Sequence, residues 1–556
     1  MLWSVPILPL LAAPGMYWLG KYWSGKDSGR ALLSLAGAAM AIVTLLLASI
    51  AVMGDWGGAY RWSSQIVLSV GMTPTSAVFA IVVPLIATLI IAYSAFHESA
   101  PISDGAPARP PARLIALLTA FVGAMELLVL AEDLVTLLIA WELVGACSWA
   151  LIAHEWQESG NLRDAAWAFL VTRFGDLGLY IAAAAAFAGT GSFAFADLSQ
   201  LDGWLLNVFV AGAVLAAAAK SAQVPFSPWL FAAMSGPTPV SALLHAATMV
   251  AAGIYLVIRL HAEMAAVAWF GPVAITLGLA TALAGGVVAY LQRHAKKLLA
   301  ASTSAQYGLM WLAVGAGFPG VALVHFVTHA FVKAALFLAA GIAERHVGSY
   351  SLDAMRLGRL LPGIAAATMV ASLALAGVVP LSAAWSKEKI ITAAGHQDSW
   401  LAVIAAIAAG LSALYATRFQ LLAFGRGLHG RTKTAPSQPG HSSVEAGSLY
   451  LLSAGTLAIS FLWWPGVGNT LADLLSIQLP QTKLWELILS LLLVALGIGV
   501  GFWAVRREVS SQSRQSEKRA AMANWFGLPA LAEQGVDAFM RFSHGLARFD
   551  DRVVDA

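Results

Sequence analysis

Apolar residues run along the chain in stretches of about twenty, separated by short polar connections. A helix of that length crosses the hydrocarbon core of a bilayer, where only helices and closed barrels satisfy their backbone hydrogen bonds. The pattern predicts about fifteen transmembrane helices, near residues 2–20, 31–53, 77–95, 113–131, 134–153, 166–188, 206–233, 240–260, 266–290, 298–316, 320–343, 363–384, 401–424, 447–465 and 484–505. We therefore expect an all-α polytopic membrane protein.

The composition agrees with this fold class and excludes several kinds of binding site. Of the 556 residues, 59% are hydrophobic and 11% are charged, against about 25% charged in an ordinary soluble domain. The net charge of +3 and the lack of basic clusters interleaved with aromatics argue against nucleic acid as a partner. The single cysteine, Cys147, excludes an internal disulfide, a CxxC zinc site and an iron–sulfur cluster. We expect no metal and no cofactor on this chain.

Lysine and arginine are concentrated in alternate connections. The odd-numbered loops and their flanks carry most of them, while the even-numbered loops hold few. By the positive-inside rule, the N-terminus faces outward and the C-terminus faces the cytoplasm of a bacterial inner (plasma) membrane. We expect an N-terminal three-helix segment at 1–112, repeats at 113–260 and 261–424, two C-terminal membrane helices with a cytoplasmic loop at 425–505, and a polar, amphipathic cytoplasmic tail at 506–556.

Ionisable side chains remain inside the predicted spans. A charge at the bilayer centre costs about 2.5–3.5 kcal/mol on insertion scales, so such residues are rarely kept without a partner or a task. Desolvation disfavours the charged form of a side chain, which eases proton exchange between neighbouring groups. The set is Glu142, Lys220, His245, His325, His329, Lys333, Lys387 and Glu388, together with Asp176 beside Arg173 and the undecided Glu126.

Each of these residues also has a structural interpretation. Asp176 and Arg173 would be a structural ion pair, and His245 would bond to a neighbouring carbonyl. Lys387 and Glu388 would reach the membrane interface with their long side chains. Taken together, however, the residues predict a proton relay spread over five spans.

Prolines mark two breaks. Pro225 and Pro228 follow Lys220, and Pro380 lies seven residues before Lys387. Proline removes a backbone donor and opens a helix. Interrupted helices in matching positions of two halves indicate an inverted-repeat transporter with its polar site at the breaks. We expect two inverted five-helix repeats, each with a proline-broken helix; the alternative is that the prolines serve packing alone.

Several stretches resemble a known family. They are "WELVGACSW", "RFGDLG", "AKSAQVPFSPWLFAAMSGPTPVSALLHAATMVAAGIYL", "AASTSAQYGLM", "HFVTHAFVKAALFLAAG" and "PLSAAWSKEKI". They are similar to the proton-conducting, antiporter-like membrane subunits of complex I, in particular its L-type subunit, and to Mrp-type relatives. The resemblance covers roughly residues 60–425 and implies a proton-conducting fold.

The resemblance also implies roles for particular residues. Glu142 and Lys220 would form the coupled pair, with Asp176 matching the family's acidic position. The central relay would be His245, His325 and His329, with Lys333 in a less defined role. Lys387 and Glu388 would form the exit site.

The sequence departs from the family in two places. An aspartate of the family is here His294, although Lys296 is kept, and the long lateral helix and final span of complex I L-type subunits are not evident. This architecture favours the membrane subunit of a two-component inorganic-carbon uptake pump, with a soluble or peripheral, zinc-containing, carbonic-anhydrase-like partner.

The alternatives use the same ion path with different partners. One is an L-type subunit of an NADH-quinone oxidoreductase-like complex, which would pack against other complex I-like membrane subunits. The other is a stand-alone antiporter exchanging Na⁺ for protons. In every case the chain translocates an ion across the lipid bilayer and is not a catalyst on its own.

Overall fold

The chain is almost entirely helical in a computed structural model that describes residues 1–23, 27–54, 56–97, 111–425, 440–464, 466–510 and 517–549. The first part contains α1 (Ser4–Trp23), α2 (Asp27–Val52), β1 (Gly58–Arg61), β2 (Val67–Val70), α3 (Pro74–His97), α4 (Pro111–Leu130), α5 (Leu134–Ile152), α6 (Asn161–Thr190), α7 (Gly203–Lys220), α8 (Trp229–Ala232), α9 (Thr238–Ala246), α10 (Met249–Arg259) and α11 (His261–Ala265). The second part contains α12 (Phe270–Leu291), α13 (Ala295–Gly315), α14 (Pro319–Val347), α15 (Pro362–Ala376), α16 (Ser382–Gln397), α17 (Ser399–Phe424), α18 (Ser443–Ser460), α19 (Val467–Leu474), α20 (Leu484–Ser510), α21 (Glu517–Ala523) and α22 (Leu528–Phe549).

The predicted multi-spanning helical fold is confirmed. Among the described residues, 12 helical segments are long and apolar enough to cross a membrane, and two shorter apolar helices lie at Ser4–Gly20 and Pro362–Ala376. The predicted span 298–316 corresponds to α13, whose polar residues lower its hydropathy. All fifteen predicted spans therefore have a helical counterpart.

Three predicted spans are divided in the structure. The span 206–233 stops being helical at Lys220, and 240–260 consists of α9 and α10. The span 363–384 is wrong at its end, because α15 stops at Ala376 and a separate helix, α16, begins at Ser382. The glycine at 377 has a φ of +89°, a left-handed conformation that ends a helix at little cost only when the residue is glycine.

The two repeats follow the same order of elements. The first has three continuous helices, α4, α5 and α6, then the broken pair α7–α8, then α9–α10. The second has α12, α13 and α14, then the broken pair α15–α16, then α17. The five crossings per repeat that the sequence predicts require the second repeat to enter from the opposite side.

Polar side chains satisfy the backbone where the first helix breaks. After Lys220 the chain turns through Pro225, which has no N–H to continue the helix. The carbonyl of Ala222 accepts hydrogen bonds from the hydroxyls of Ser227 at 2.8 Å and Ser304 at 2.6 Å. Non-helical backbone is tolerated at membrane depth when protein surrounds it in this way.

Two further segments flank the repeats. The antiparallel hairpin β1–β2, which the apolar pattern did not predict, lies against the start of α5, where Asp133 accepts hydrogen bonds from the amide and the hydroxyl of Ser69. After the last span, Trp525 is fully buried and its ring packs 5.6 Å from that of Phe231. The predicted cytoplasmic loop lies mostly in residues 426–439, outside the described residues.

Candidate functional site

Lys220 lies at the end of α7, completely buried beside the first break. Its Nζ donates a hydrogen bond to the carbonyl oxygen of Trp141 at 3.2 Å and lies 3.6 Å from Oδ1 of Asp176. Asp176 also accepts a hydrogen bond from the Trp141 indole at 2.5 Å. A side chain at Gly145 would begin 3.3 Å from the ammonium group, so a glycine in α5 leaves room for the lysine.

Glu142, expected to be coupled to Lys220, lies on the other side of α5. Its carboxylate forms an ion pair with Arg173 and accepts a hydrogen bond from Tyr180 at 3.1 Å. The side chain is 24% exposed, in a shallow groove on the outer face of α5 and α6. Adjacent helical residues point about 100° apart, so Trp141 turns inward to the aspartate while Glu142 turns outward.

The structural interpretation of Asp176 as the ion-pair partner of Arg173 is wrong. Arg173 pairs with Glu142, and the carboxylate of Asp176 pairs with Lys220 inside the bundle. A buried ammonium thus has a carboxylate within ion-pair distance in the first repeat.

Polar side chains on opposite sides of α13 connect the two repeats. Ser304 donates to the broken segment of the first repeat, as described above. Two residues earlier, on the opposite side of the helix, Ser302 accepts a hydrogen bond from Lys333 of α14, whose Nζ also donates to the carbonyl of Leu299 at 2.9 Å. Lys333 is fully buried. Its hydrogen-bond partners among the described residues are thus a carbonyl and a hydroxyl.

Further along the same helix, Gln306 holds His325. The two are joined by a hydrogen bond of 3.1 Å between Oε1 of Gln306 and Nε2 of the histidine, and the amide group of Gln306 donates to Tyr415 at 2.8 Å. The other ring nitrogen, Nδ1, lies 2.8 Å from the hydroxyl of Ser386 in α16. His325 therefore bridges the central helices to the second broken helix.

His329 and His245 line the same interior but are held differently. The ring of His329 meets the ring of Tyr307 edge-on, 5.0 Å between centroids. The ring of His245 packs 5.1 Å from that of Phe337. Neither nitrogen of His245 has a hydrogen-bond partner in the described part of the chain, so its interpretation as a carbonyl-bonded structural histidine is wrong.

Lys387 lies in α16, just past the second break. Its Nζ donates to the carbonyl of Leu375 and to the hydroxyl of Ser412, each at 2.5 Å. Glu388 points to another side of the helix, where the hydroxyl of Thr392 donates to it at 3.1 Å. Both side chains are buried within the bundle, and not at its surface as the interfacial interpretation requires. The break at Pro380 places them there.

Lys296 and His294 lie at the start of α13, outside the membrane-spanning part. Lys296 donates to the carbonyl of Gly236 at 2.6 Å and lies 4.8 Å from the ring of Tyr350. His294 caps the helix by accepting from the Lys297 amide at 3.4 Å. Burial, reinforced by the two neighbouring lysines, lowers the pKa of His294 from 6.5 to about 4.

The structure thus brings most of the predicted residues into one buried polar region and leaves Glu142 on its outer face. No role was predicted from the sequence for the hydroxyl and amide groups that connect them, which are Ser302, Ser304, Gln306, Ser386, Ser412 and Tyr415. A signal was available, since "STSAQY" is an unusually polar run for a helix that is buried on every side.

Comparison with known proteins agrees with this architecture. A protein-family model described as "NADH:quinone oxidoreductase/Mrp antiporter, TM" matches residues 131–412. The chain belongs to this family. The expected resemblance is confirmed, and the matched region contains both broken helices.

Curated relatives carry the names of quinone oxidoreductase subunits. "NAD(P)H-quinone oxidoreductase chain 5" of a Picosynechococcus species is 35% identical over 76% of this chain and 67% of its own length. The chloroplastic "subunit 5" of Nephroselmis olivacea is 30% identical, covering 100% of this chain and 91% of the relative.

Solved structures share the fold. A chain of the Mrp complex from a Dietzia species superposes with a TM-score of 0.79 at 28% identity, covering 97% of this chain but 60% of that one. A chain of an archaeal membrane-bound sulfane sulfur reductase superposes with a TM-score of 0.72 at 20% identity, covering 88% of this chain and 98% of that one. At that identity the second likeness concerns the fold alone.

Proposed function

We propose that the chain is a proton-translocating membrane subunit of a multi-subunit, energy-coupled complex. The observation that carries this proposal is the burial of three lysines, Lys220, Lys333 and Lys387, along the polar region that links the two broken helices. Lys333 and Lys387 each donate to a carbonyl oxygen and a hydroxyl oxygen. A buried ammonium without a compensating charge is costly, so a lysine in that setting is suited to binding and releasing a proton.

We propose a proton path from the order of these groups along the bundle. A proton held at the Asp176–Lys220 pair reaches the second repeat by way of the serine hydroxyls of α13 and then Lys333 of α14. It then passes His329 and His325 to reach Lys387 and Glu388. A proton crossing 100 mV carries about 2.3 kcal/mol, which is the energy exchanged with the partner subunits.

Glu142 takes a different place from the one first expected. With Arg173 and Tyr180 it forms a polar group on the outer face of α5 and α6, one residue from Trp141, whose carbonyl holds Lys220. We propose that this group couples to Lys220 through α5 instead of by direct contact.

Among the alternative assemblies, the comparisons support the quinone oxidoreductase-like complex better than the inorganic-carbon pump. The relatives reported above are named as quinone oxidoreductase subunits, and a structural neighbour comes from an Mrp complex. The carbon pump and its carbonic-anhydrase-like partner stay a prediction. We propose other membrane subunits as partners, in a bacterial inner membrane with the N-terminus outside.

Purification of the complex through a tag on this chain tests both parts of the proposal. Mass spectrometry of the purified complex identifies the partner: quinone oxidoreductase subunits support the assembly, and a zinc-containing soluble protein contradicts it. In proteoliposomes with an internal pH dye, we expect Lys220→Ala to abolish proton translocation and Lys297→Ala, a lysine outside the path, to leave it intact. Wild-type rates in both variants would contradict proton conduction through Lys220.

The stand-alone antiporter makes a separate prediction. Purified without partners and reconstituted, this chain would move protons in response to a Na⁺ gradient. Our proposal expects no such movement, and its appearance would favour the antiporter.

A further inference from the structure

A second buried carboxylate lies beyond Lys387, on a helix outside the matched family region. Glu486 belongs to the first turn of α20 and is completely buried. One oxygen, Oε2, accepts a hydrogen bond from the backbone amide of Lys483 at 3.2 Å. The other, Oε1, is buried and has no hydrogen-bond partner in the described ranges. Capping of the helix therefore accounts for only one of the two oxygens.

The free oxygen of Glu486 lies against one face of α16. A Cβ atom built at Gly395 would come within 2.6 Å of Oε1, so the carboxylate occupies the space that a side chain would fill. Glu388, Thr392 and Gly395 are spaced i, i+4 and i+7 and share this face. Glu388 therefore lies on this face before Thr392, and Glu486 of α20 reaches the same face after it, at Gly395. The two positions are about 10 Å apart along the helix.

The segment before α20 is fixed so that Glu486 reaches this position. Lys389 donates to the carbonyl of Pro480 at 2.8 Å and to the hydroxyl of Thr482 at 2.9 Å. The same threonine lies within hydrogen-bonding reach of Glu388. The Lys389 ammonium thus anchors the loop and is not committed to Glu486.

From these contacts we infer that Glu486 is a proton-exchanging residue, the next carboxylate after Glu388 on the way to the end of the bundle that the charge distribution predicts to be outside. The ligand is a proton, relayed from Glu388 past the hydroxyl of Thr392. This inference rests on the proposed function and extends its exit path from the second repeat to a C-terminal helix.

Substitution separates proton exchange from a structural role. Glu486→Gln keeps the shape of the side chain and an oxygen that can accept from the Lys483 amide, but it cannot exchange a proton. Glu486→Asp keeps the acid. In the purified complex, reconstituted in proteoliposomes and normalised to assembled complex, we expect Glu486→Gln to lower proton translocation about tenfold or more and Glu486→Asp to retain a substantial part.

One further variant is a second test of the same position, and another is a control. Gly395→Ala moves the carboxylate away from α16 without changing any charge, and we expect it to lower the rate in the same direction. Glu132→Gln, at an acid paired with Arg259 outside the path, should leave the rate unchanged. If Glu486→Gln yields too little assembled complex, Gly395→Ala and Glu486→Asp carry the comparison.

The outcomes are distinct. Wild-type rates in both Glu486→Gln and Gly395→Ala, with Lys387→Ala inactive, would overturn the inference and leave the proposed function in place. A wild-type rate in Lys387→Ala as well would remove the proposed function and the inference with it. A rate that requires Na⁺ in the medium would identify the site as a sodium site and also overturn the inference.

Discussion

The hydroxyl of Ser412 offers a minimal test of the lysine in the second repeat. Lys387 has two hydrogen-bond acceptors among the described residues, the carbonyl of Leu375 and the hydroxyl of Ser412, each at 2.5 Å. The same hydroxyl donates to the carbonyl of Ala409 at 2.5 Å, so its oxygen is oriented to accept from the lysine. Ser412→Ala removes one of the two acceptors and changes no charge.

The expected magnitude follows from the type of bond. A hydrogen bond to a charged group contributes about 1.5–3 kcal/mol, and each 1.36 kcal/mol corresponds to a factor of about ten in a rate. If the protonated form of Lys387 lies on the path, Ser412→Ala should slow proton translocation by about ten- to a hundredfold. Thermal stability should fall by up to the same amount, because the buried ammonium loses one of its two acceptors, so rates are compared at equal amounts of assembled complex.

The assay is proton uptake into proteoliposomes holding the purified complex, followed with a pH-sensitive dye. Ser453→Ala is the matched control, since Ser453 is also buried and donates to the carbonyl of Ala367 at 3.1 Å, away from the relay. Equal rates for Ser412→Ala, Ser453→Ala and the unmodified chain would refute the role of the protonated lysine.

Three more predictions concern the surroundings of the path. Asp176→Asn leaves the Lys220 ammonium without its carboxylate, and because breaking a buried pair costs about 3–5 kcal/mol, we expect a lower melting temperature and slower translocation. Gly253→Ala places a methyl group 2.3 Å from the carbonyl of Ala217, against backbone that cannot move aside, and should destabilise the complex by about 1–3 kcal/mol. The pKa of His294 is lowered from 6.5 to about 4, so between these pH values the unfolded chain binds a proton that the folded chain does not. The free energy of unfolding should therefore fall on acidification from pH 6.5 to 4, by up to about 3 kcal/mol. The fall should be smaller in His294→Asn.

Each of these predictions has its own control. Asp176→Glu keeps the charge and should retain part of the activity. Gly447→Ala introduces a methyl group with no heavy atom within 4 Å and should not destabilise the protein. A melting temperature of His294→Asn that falls with acidification as steeply as that of the unmodified chain would contradict the assignment to this histidine.

Much of the fold could be predicted because the membrane imposes it. Runs of about twenty apolar residues have no stable alternative to a spanning helix, so helix number and approximate position follow from composition. Proline indicated the first break, since Pro225 lies five residues after Lys220, where α7 ends. The second break was placed too late, because the alanine- and leucine-rich run continues to Ala376 and the helix ends at Gly377, before the proline.

The site was less predictable, for reasons of geometry. Glu142 and Trp141 are adjacent in sequence, and an apolar helix with little amphipathic pattern does not indicate which of them faces inward. The partners of Lys333 and Lys387 are hydroxyl and carbonyl groups on other helices. Such contacts depend on tertiary packing, and serine is too common in membrane helices to stand out. The polar run on α13 was the available clue.

The central claim is that both repeats belong to one proton path in series, and proton translocation by Lys220→Ala and Lys387→Ala tests it most directly. The two single variants and the double variant are compared in reconstituted complex at equal assembly. A path in series predicts that each single variant, one in each repeat, abolishes translocation and that the double variant is no worse. A single variant that retains about half of the unmodified rate would show that the repeats conduct independently, and would contradict the account.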